Sequence, residues 1–256
     1  MGLILLLSVF LAEAASQDIG LSLQGREENR EETAILREEF LRRIGNTVEV
    51  EEDYLNKAFE DALCRLSEAG VEGDQYFLYV DRNPKRQVIF VCFFDAEHQT
   101  VIEIGRGRVS TGKPTKGRDY FLTPTGVFRN TVAICGYRAL GTKNDQGWRG
   151  LGKRGSRVWD FGWQEGYKII NNRKEFIYIR FLMHATDPDY GEARLGKQDS
   201  KGCVRISGKL NEFLDHFGII DRDYERQKHH WLLRKDRKPV FYQGEYLVIG
   251  DLSSLE

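Results

Sequence analysis

Along the first third of the chain apolar residues recur at helical spacing. Ile35, Leu36, Phe40, Leu41 and Ile44 form one such set and, after Gly45, Leu55, Phe59, Ala62, Leu63 and Leu66 form another, which predicts two amphipathic helices. The second opens on Glu51, Glu52 and Asp53, acidic groups favoured at the positive end of a helix, and stops at Gly70. From Tyr76 the period shortens. Short β-rich runs at Tyr76–Val80, Gln87–Phe94, Thr100–Val109, Gly126–Ile134, Glu175–Ala185, Cys203–Ile206 and Tyr246–Gly250 predict strands, many joined as hairpins. A helix is predicted over Lys209–Phe217, with Leu210, Phe213, Leu214 and Phe217 inward and Gly218 as its stop.

The pattern divides the chain into an apolar leader at residues 1–14, a helical extension at 15–72 and a mainly β domain at 73–256. The expected architecture is a β-sandwich with a few short helices. Between Gly136 and Tyr167 a Gly-rich stretch holds Trp148, Trp159 and Trp163 and is too long for a simple turn, so it reads as a lid inserted over a site. Trp148, Trp159, Trp163 and Tyr167 either stack on a ligand from that lid or form a small local core.

The leader runs from Leu3 to Ala12 and ends on Ala12-Glu13-Ala14, an A-x-A pattern that reads as a secretory signal cleaved after Ala14, although no basic residue precedes it. It falls short of the roughly 20 apolar residues that span a bilayer, and no later run reaches that length. Export is therefore expected, with no transmembrane segment in the mature chain. In 256 residues, 38 Lys and Arg against 39 Asp and Glu give a net charge of -1, so no overall field favours nucleic acid. Lys143, Arg149 and Arg154 form one local basic stretch, read either as a contact for carboxylates or as solvated surface.

Of four cysteines, Cys92 and Cys135 lie in apolar runs and Cys64 lies among Ala62, Leu63 and Leu66, so all three are expected as core thiols. Cys203 differs, flanked by Lys201, Gly202 and Arg205. Fifteen residues separate Ser200 from His184, which ends a predicted strand; a loop of that length can return the thiol to the imidazole. In that arrangement His184 and Lys201 would lower the Cys203 pKa. Gly202 would let a carbonyl approach, with the N–H groups of Gly202 and Cys203 facing its oxygen. No metal is expected, because His184 and Cys203 lack further ligands at a recognised spacing and the side chains of His229-His230 would diverge.

The segment His184-Ala185-Thr186-Asp187-Pro188 through Ser200-Lys201-Gly202-Cys203-Val204-Arg205-Ile206 resembles the signature of the L,D-transpeptidase catalytic domain family. Val109-Ser110-Thr111-Gly112 and Thr123-Pro124-Thr125-Gly126-Val127-Phe128 resemble two further motifs of that family, in the same order. The resemblance covers roughly Tyr76 to Ile206 and implies that family's β-sandwich. It implies Cys203 as nucleophile, His184 as base and proton donor, and the backbone around Ser200, Gly202 and Cys203 as the orienting and oxyanion-holding element. Arg205 would brace the loop and meet a donor carboxylate. Lys201 stands where many members have a second His, as an electrostatic helper, and Trp148 and Trp159 would contact substrate.

The implied reaction acylates the cysteine with a peptidoglycan tetrapeptide stem, releases D-Ala and passes the acyl group to an amine in cell wall biogenesis, without cofactor or metal. The implied partners are stem peptides and, as one acceptor, an envelope lipoprotein; the implied place is the periplasm or cell envelope. A carboxypeptidase or cross-link hydrolase with the same residues, and a non-catalytic wall-binding protein, remain alternatives. A papain-like protease is disfavoured because there the Cys precedes the His.

Overall fold

The structure is a computed structural model, and it describes residues 29–227 and 230–255. The leader at 1–14, the first part of the extension and His229 lie outside the described residues. Helix α1 covers 29–43, α2 Glu52–Glu68, α3 Gly208–Phe217 and α4 Arg222–Arg226. No described helix is long and apolar enough to cross a membrane.

Among the described residues nine strands form two mixed sheets, and the protein is mainly β. β1 (Gln75–Asp81), β2 (Val88–Asp95), β3 (Thr100–Arg108), β4 (Gly126–Arg129) and β9 (Tyr246–Gly250) make the first, in the order β3-β2-β1-β9-β4. β5 (Tyr137–Arg138), β6 (Arg157–Ile170), β7 (Arg173–Ala185) and β8 (Val204–Ile206) make the second, in that order. β1 and β9 run parallel, as do β7 and β8, while the other pairs are antiparallel.

β1 and β2 are apolar on both faces because each face meets a core. Tyr76, Leu78 and Val80 point into the core shared by the two sheets, where they join Trp159, Phe181, Met183, Val204 and Ile206. Phe77 and Tyr79 point the other way, against Tyr54, Ala58, Ala62 and Leu66 of α2. α1 and α3 close an end of the shared core, where the Phe40 and Phe213 rings meet edge to face at 5.3 Å. Phe40 lies over Gly105, where an added Cβ would fall 2.1 Å from its ring. Ser207 caps α3 through its hydroxyl, and Gly218 ends the helix at φ 57.

Five expectations are corrected. β6 begins at Arg157, so the irregular stretch covers only 139–156, and Trp159, Trp163 and Tyr167 belong to a strand. Trp159 is fully buried between the sheets, its Nε1 donating to Asp221 Oδ1 at 3.3 Å, and it cannot touch a substrate. β4 ends at Arg129, because Asn130 turns inward to donate to the Ile220 carbonyl and Asp221; Cys135 is left half-buried in a loop. Cys64 is exposed: Ala58, Ala62 and Leu66 face the sheet at intervals of four, and a residue two places on from Ala62 looks outward. Cys92 is buried.

Candidate active site

The parallel pairing of β7 with β8 assembles the site. Its register sets Met183 opposite Val204 and His184 opposite Arg205. Phe181, Met183, Val204 and Ile206 enter the core, so the alternating residues Leu182, His184, Cys203 and Arg205 belong to the outer face of the second sheet. His184 and Cys203 line one cleft of about 740 Å³ there, with Trp148 of the 139–156 loop along another wall.

The three motifs converge on the turn before Cys203. Ser110 and Arg205 exchange backbone hydrogen bonds at 2.9 Å, and the Ser200 N–H donates to the Thr111 carbonyl at 3.0 Å. Thr123 Oγ1 accepts from the Gly112 N–H at 2.8 Å and donates to the Gly202 carbonyl at 2.9 Å. Gly112 has to be glycine, since a Cβ would fall 1.9 Å from the Phe121 carbonyl oxygen. Ser200 Oγ donates to the Cys203 carbonyl at 2.6 Å and accepts from the Gly202 N–H at 3.1 Å, while Gly202 sits at φ 124. The Gly202 N–H is thus engaged inside the turn, which corrects its expected place in an oxyanion hole.

Burial pushes the Cys203 thiol up to about 11, against the Leu182 backbone N–H and the Arg205 cation, which favour the thiolate. Burial also takes His184 down to about 4, so its ring is neutral at pH 7. The ring's Nδ1 lies 2.8 Å from the Ala185 carbonyl, which can only accept, so Nδ1 carries the proton and Nε2 the lone pair. The resting pair is therefore a thiol and a neutral imidazole, not the lowered thiol expected from sequence. Lys201 does not alter this: it is exposed at the rim, its ammonium 5.8 Å from the Tyr120 ring.

Other residues hold the site in place without having stood out in the sequence. Asp199 pairs with Lys116, Arg194 and Arg205, and these cations keep its carboxyl below the usual range despite burial. Arg194 stacks over Trp148 at 4.6 Å, and Trp148 meets Tyr190 at 5.8 Å. Asp187 accepts from the N–H groups of Arg149, Asp189 and Tyr190 at 2.7 to 2.9 Å, fastening the 139–156 loop beside the cleft. Arg149 and Lys143 pair with Asp189; Arg154 is exposed. Asp187-Pro188 carries a turn signature that points to this anchor, whereas the cations round Asp199 are scattered through the sequence and leave no local pattern.

Neither the models of known protein families nor the curated proteins give a match to this chain.

Proposed function

We propose that the protein is an exported cysteine acyltransferase of the L,D-transpeptidase type, acting on peptidoglycan in the cell envelope. The observation that carries this reading is that Cys203 and a neutral His184, with Nε2 as its basic nitrogen, line one cleft on a turn built from the three motifs. In the proposed reaction Cys203 Sγ attacks the carbonyl at the L-centre of meso-diaminopimelate in a tetrapeptide stem while its proton passes to His184 Nε2. Positive potential from Arg205 favours the sulfur anion at that moment. The tetrahedral centre collapses with cleavage of the C–N bond to D-Ala, which leaves as the amine with the proton from His184. An acceptor amine then attacks the thioester, gives its proton to the imidazole and restores the thiol. The acceptor is a second stem peptide or the lysine of an envelope lipoprotein.

Mass spectrometry of a purified tetrapeptide muropeptide incubated with wild type and with Cys203→Ala tests the reading. A Cys203-dependent dimer lacking one D-Ala supports it. Cys203-dependent tripeptide alone would make the protein a carboxypeptidase, and unchanged substrate with both proteins, in the presence of an amine acceptor, would refute the acyl-transfer reading.

A further inference from the structure

β6 and β7 continue beyond the body of the second sheet as a two-stranded ribbon, joined at Asn171-Asn172 with φ 50 and 60, values that suit a tight hairpin turn. β5 pairs only with residues 157–158 of this ribbon and β8 only with 183–185. One face of the ribbon is partly covered: Gly202 packs towards Ile179, and the Lys168 ammonium lies 5.9 Å from the Phe121 ring, while Ile177 on that face is 42% exposed. The other face carries Phe176, Tyr178 and Arg180 on β7, in step with Leu182 and His184, and Trp163 opposite Arg180. It is therefore the face on which the cleft lies. Trp163, Phe176 and Tyr178 are 63%, 64% and 66% exposed, an unusual concentration of bare aromatic surface on so short a ribbon.

Cations sit among these rings. The Arg180 guanidinium is 6.0 Å from the Trp163 ring and is fixed by Asp160, and the Lys174 ammonium is 4.8 Å from Tyr167, which itself contacts Phe176 at 5.9 Å. From His184 to Phe176 the row extends about 26 Å at strand spacing. The tip is Asn171-Asn172-Arg173-Lys174, polar and exposed, which disfavours insertion into lipid.

We propose that this face is a platform for the sugar strand that carries the reacting peptide, with Trp163, Tyr178 and Phe176 stacking on pyranose rings. The inference rests on the acyl-transfer reading for its choice of occupant. A sugar ring presents an apolar C–H face and a polar rim, which matches exposed rings interleaved with Arg180 and Lys174. The platform shares its face with Cys203, so a strand laid along it presents its peptide branches to the cleft.

The test uses glycan strands stripped of peptide and the full chain carrying Cys203→Ala. This protein is expected to bind the strands, and the added pair Trp163→Ala with Tyr178→Ala to weaken binding at least about tenfold. Trp163→Phe with Tyr178→Phe, which keeps the stacking surfaces, is expected to remain within about threefold of the parent. In the otherwise wild-type enzyme the alanine pair is expected to lower the preference for glycan-linked over free tetrapeptide about tenfold. No binding by the parent, or equal binding by the alanine pair, overturns the platform. So does a dimer, or attachment to anionic vesicles, that the alanine pair abolishes without change in glycan binding. Cys203-dependent turnover of free tetrapeptide is measured in parallel, so failure of the platform and failure of the acyl-transfer reading are distinguished.

Discussion

His184 donates from Nδ1 to the carbonyl of Ala185, its own neighbour in β7, at 2.8 Å. The bond fixes the tautomer with a backbone group, so no carboxylate is needed to hold the ring. It also leaves burial free to keep the imidazole neutral, and a neutral imidazole is what can take the proton of a thiol that is itself held protonated.

The first prediction concerns the rate. With His184 neutral above about 4 and Cys203 protonated up to about 11, kcat/KM for the proposed reaction is expected to stay level near neutral pH and to fall on the acid side at about 4. An ion pair formed at rest would instead place the acid limb where the thiol of that pair titrates. His184→Ala is expected to cost about 10²–10⁴ in kcat/KM. An acid limb near 6.5 would show that the ring is not held neutral.

Stability should depend on the same ring. In the unfolded chain a histidine takes its proton at about 6.5, whereas folded His184 does so at about 4. Its contribution is full above 6.5 and is lost as pH falls towards 4, a change of about 3 kcal/mol. Urea denaturation of wild type and His184→Gln across that range isolates it, and parallel pH dependences would exclude it.

Asp199 sits among three cations, one of which, Arg205, favours the Cys203 thiolate. Asp199→Asn removes the charge that offsets Arg205, so the thiol pKa is expected to move down. Iodoacetamide alkylation of Cys203 against pH measures it; an unmoved or raised midpoint counts against this coupling.

Ser200 holds its turn with two hydrogen bonds, to the Cys203 carbonyl and from the Gly202 N–H. Ser200→Ala is expected to cost about 1–3 kcal/mol of stability, because the Gly202 N–H is buried. For the proposed reaction, a larger fractional loss in kcat than in folded protein is the expected signature of a displaced Cys203, read by kinetics alongside thermal unfolding.

Arg157 and Asp221 form a fully buried pair at 3.1 Å, with Trp159 and Tyr224 stacked on the guanidinium. Asp221→Ala strands the cation and is expected to cost about 3–5 kcal/mol, measured by urea denaturation. Arg157→Met combined with Asp221→Asn, which removes both charges and keeps an acceptor for Trp159 Nε1 and Asn130, should restore much of that loss, since no unpaired charge is left buried. A double variant as unstable as the single would refute the electrostatic account.

Local sequence carried much of this molecule. The spacing of Ala58, Ala62 and Leu66, the Gly70 and Gly218 stops and the apolar runs of β1, β2 and β9 are consequences of backbone geometry and burial over a few residues, so the elements they mark were legible. Where neighbours in sequence face apart, reading by proximity failed: Cys64 sits beside core residues yet looks outward, and Trp159 lies in a Gly-rich stretch yet enters the core. The sequence likewise supplied the residue types at the cleft, His184, Ser200, Gly202, Cys203 and Arg205, and the three motifs that converge on them.

Only the tertiary structure decided how those residues meet and in what charge state. The register of β7 against β8 puts His184 and Cys203 on one face, Thr123 ties Gly112 to Gly202, and Asp199 gathers cations from three separate segments. Desolvation is a property of everything packed around a group, and no short run of sequence contains it. That is why a thiol flanked by Lys201 and Arg205, which reads as activated, is held protonated by the fold.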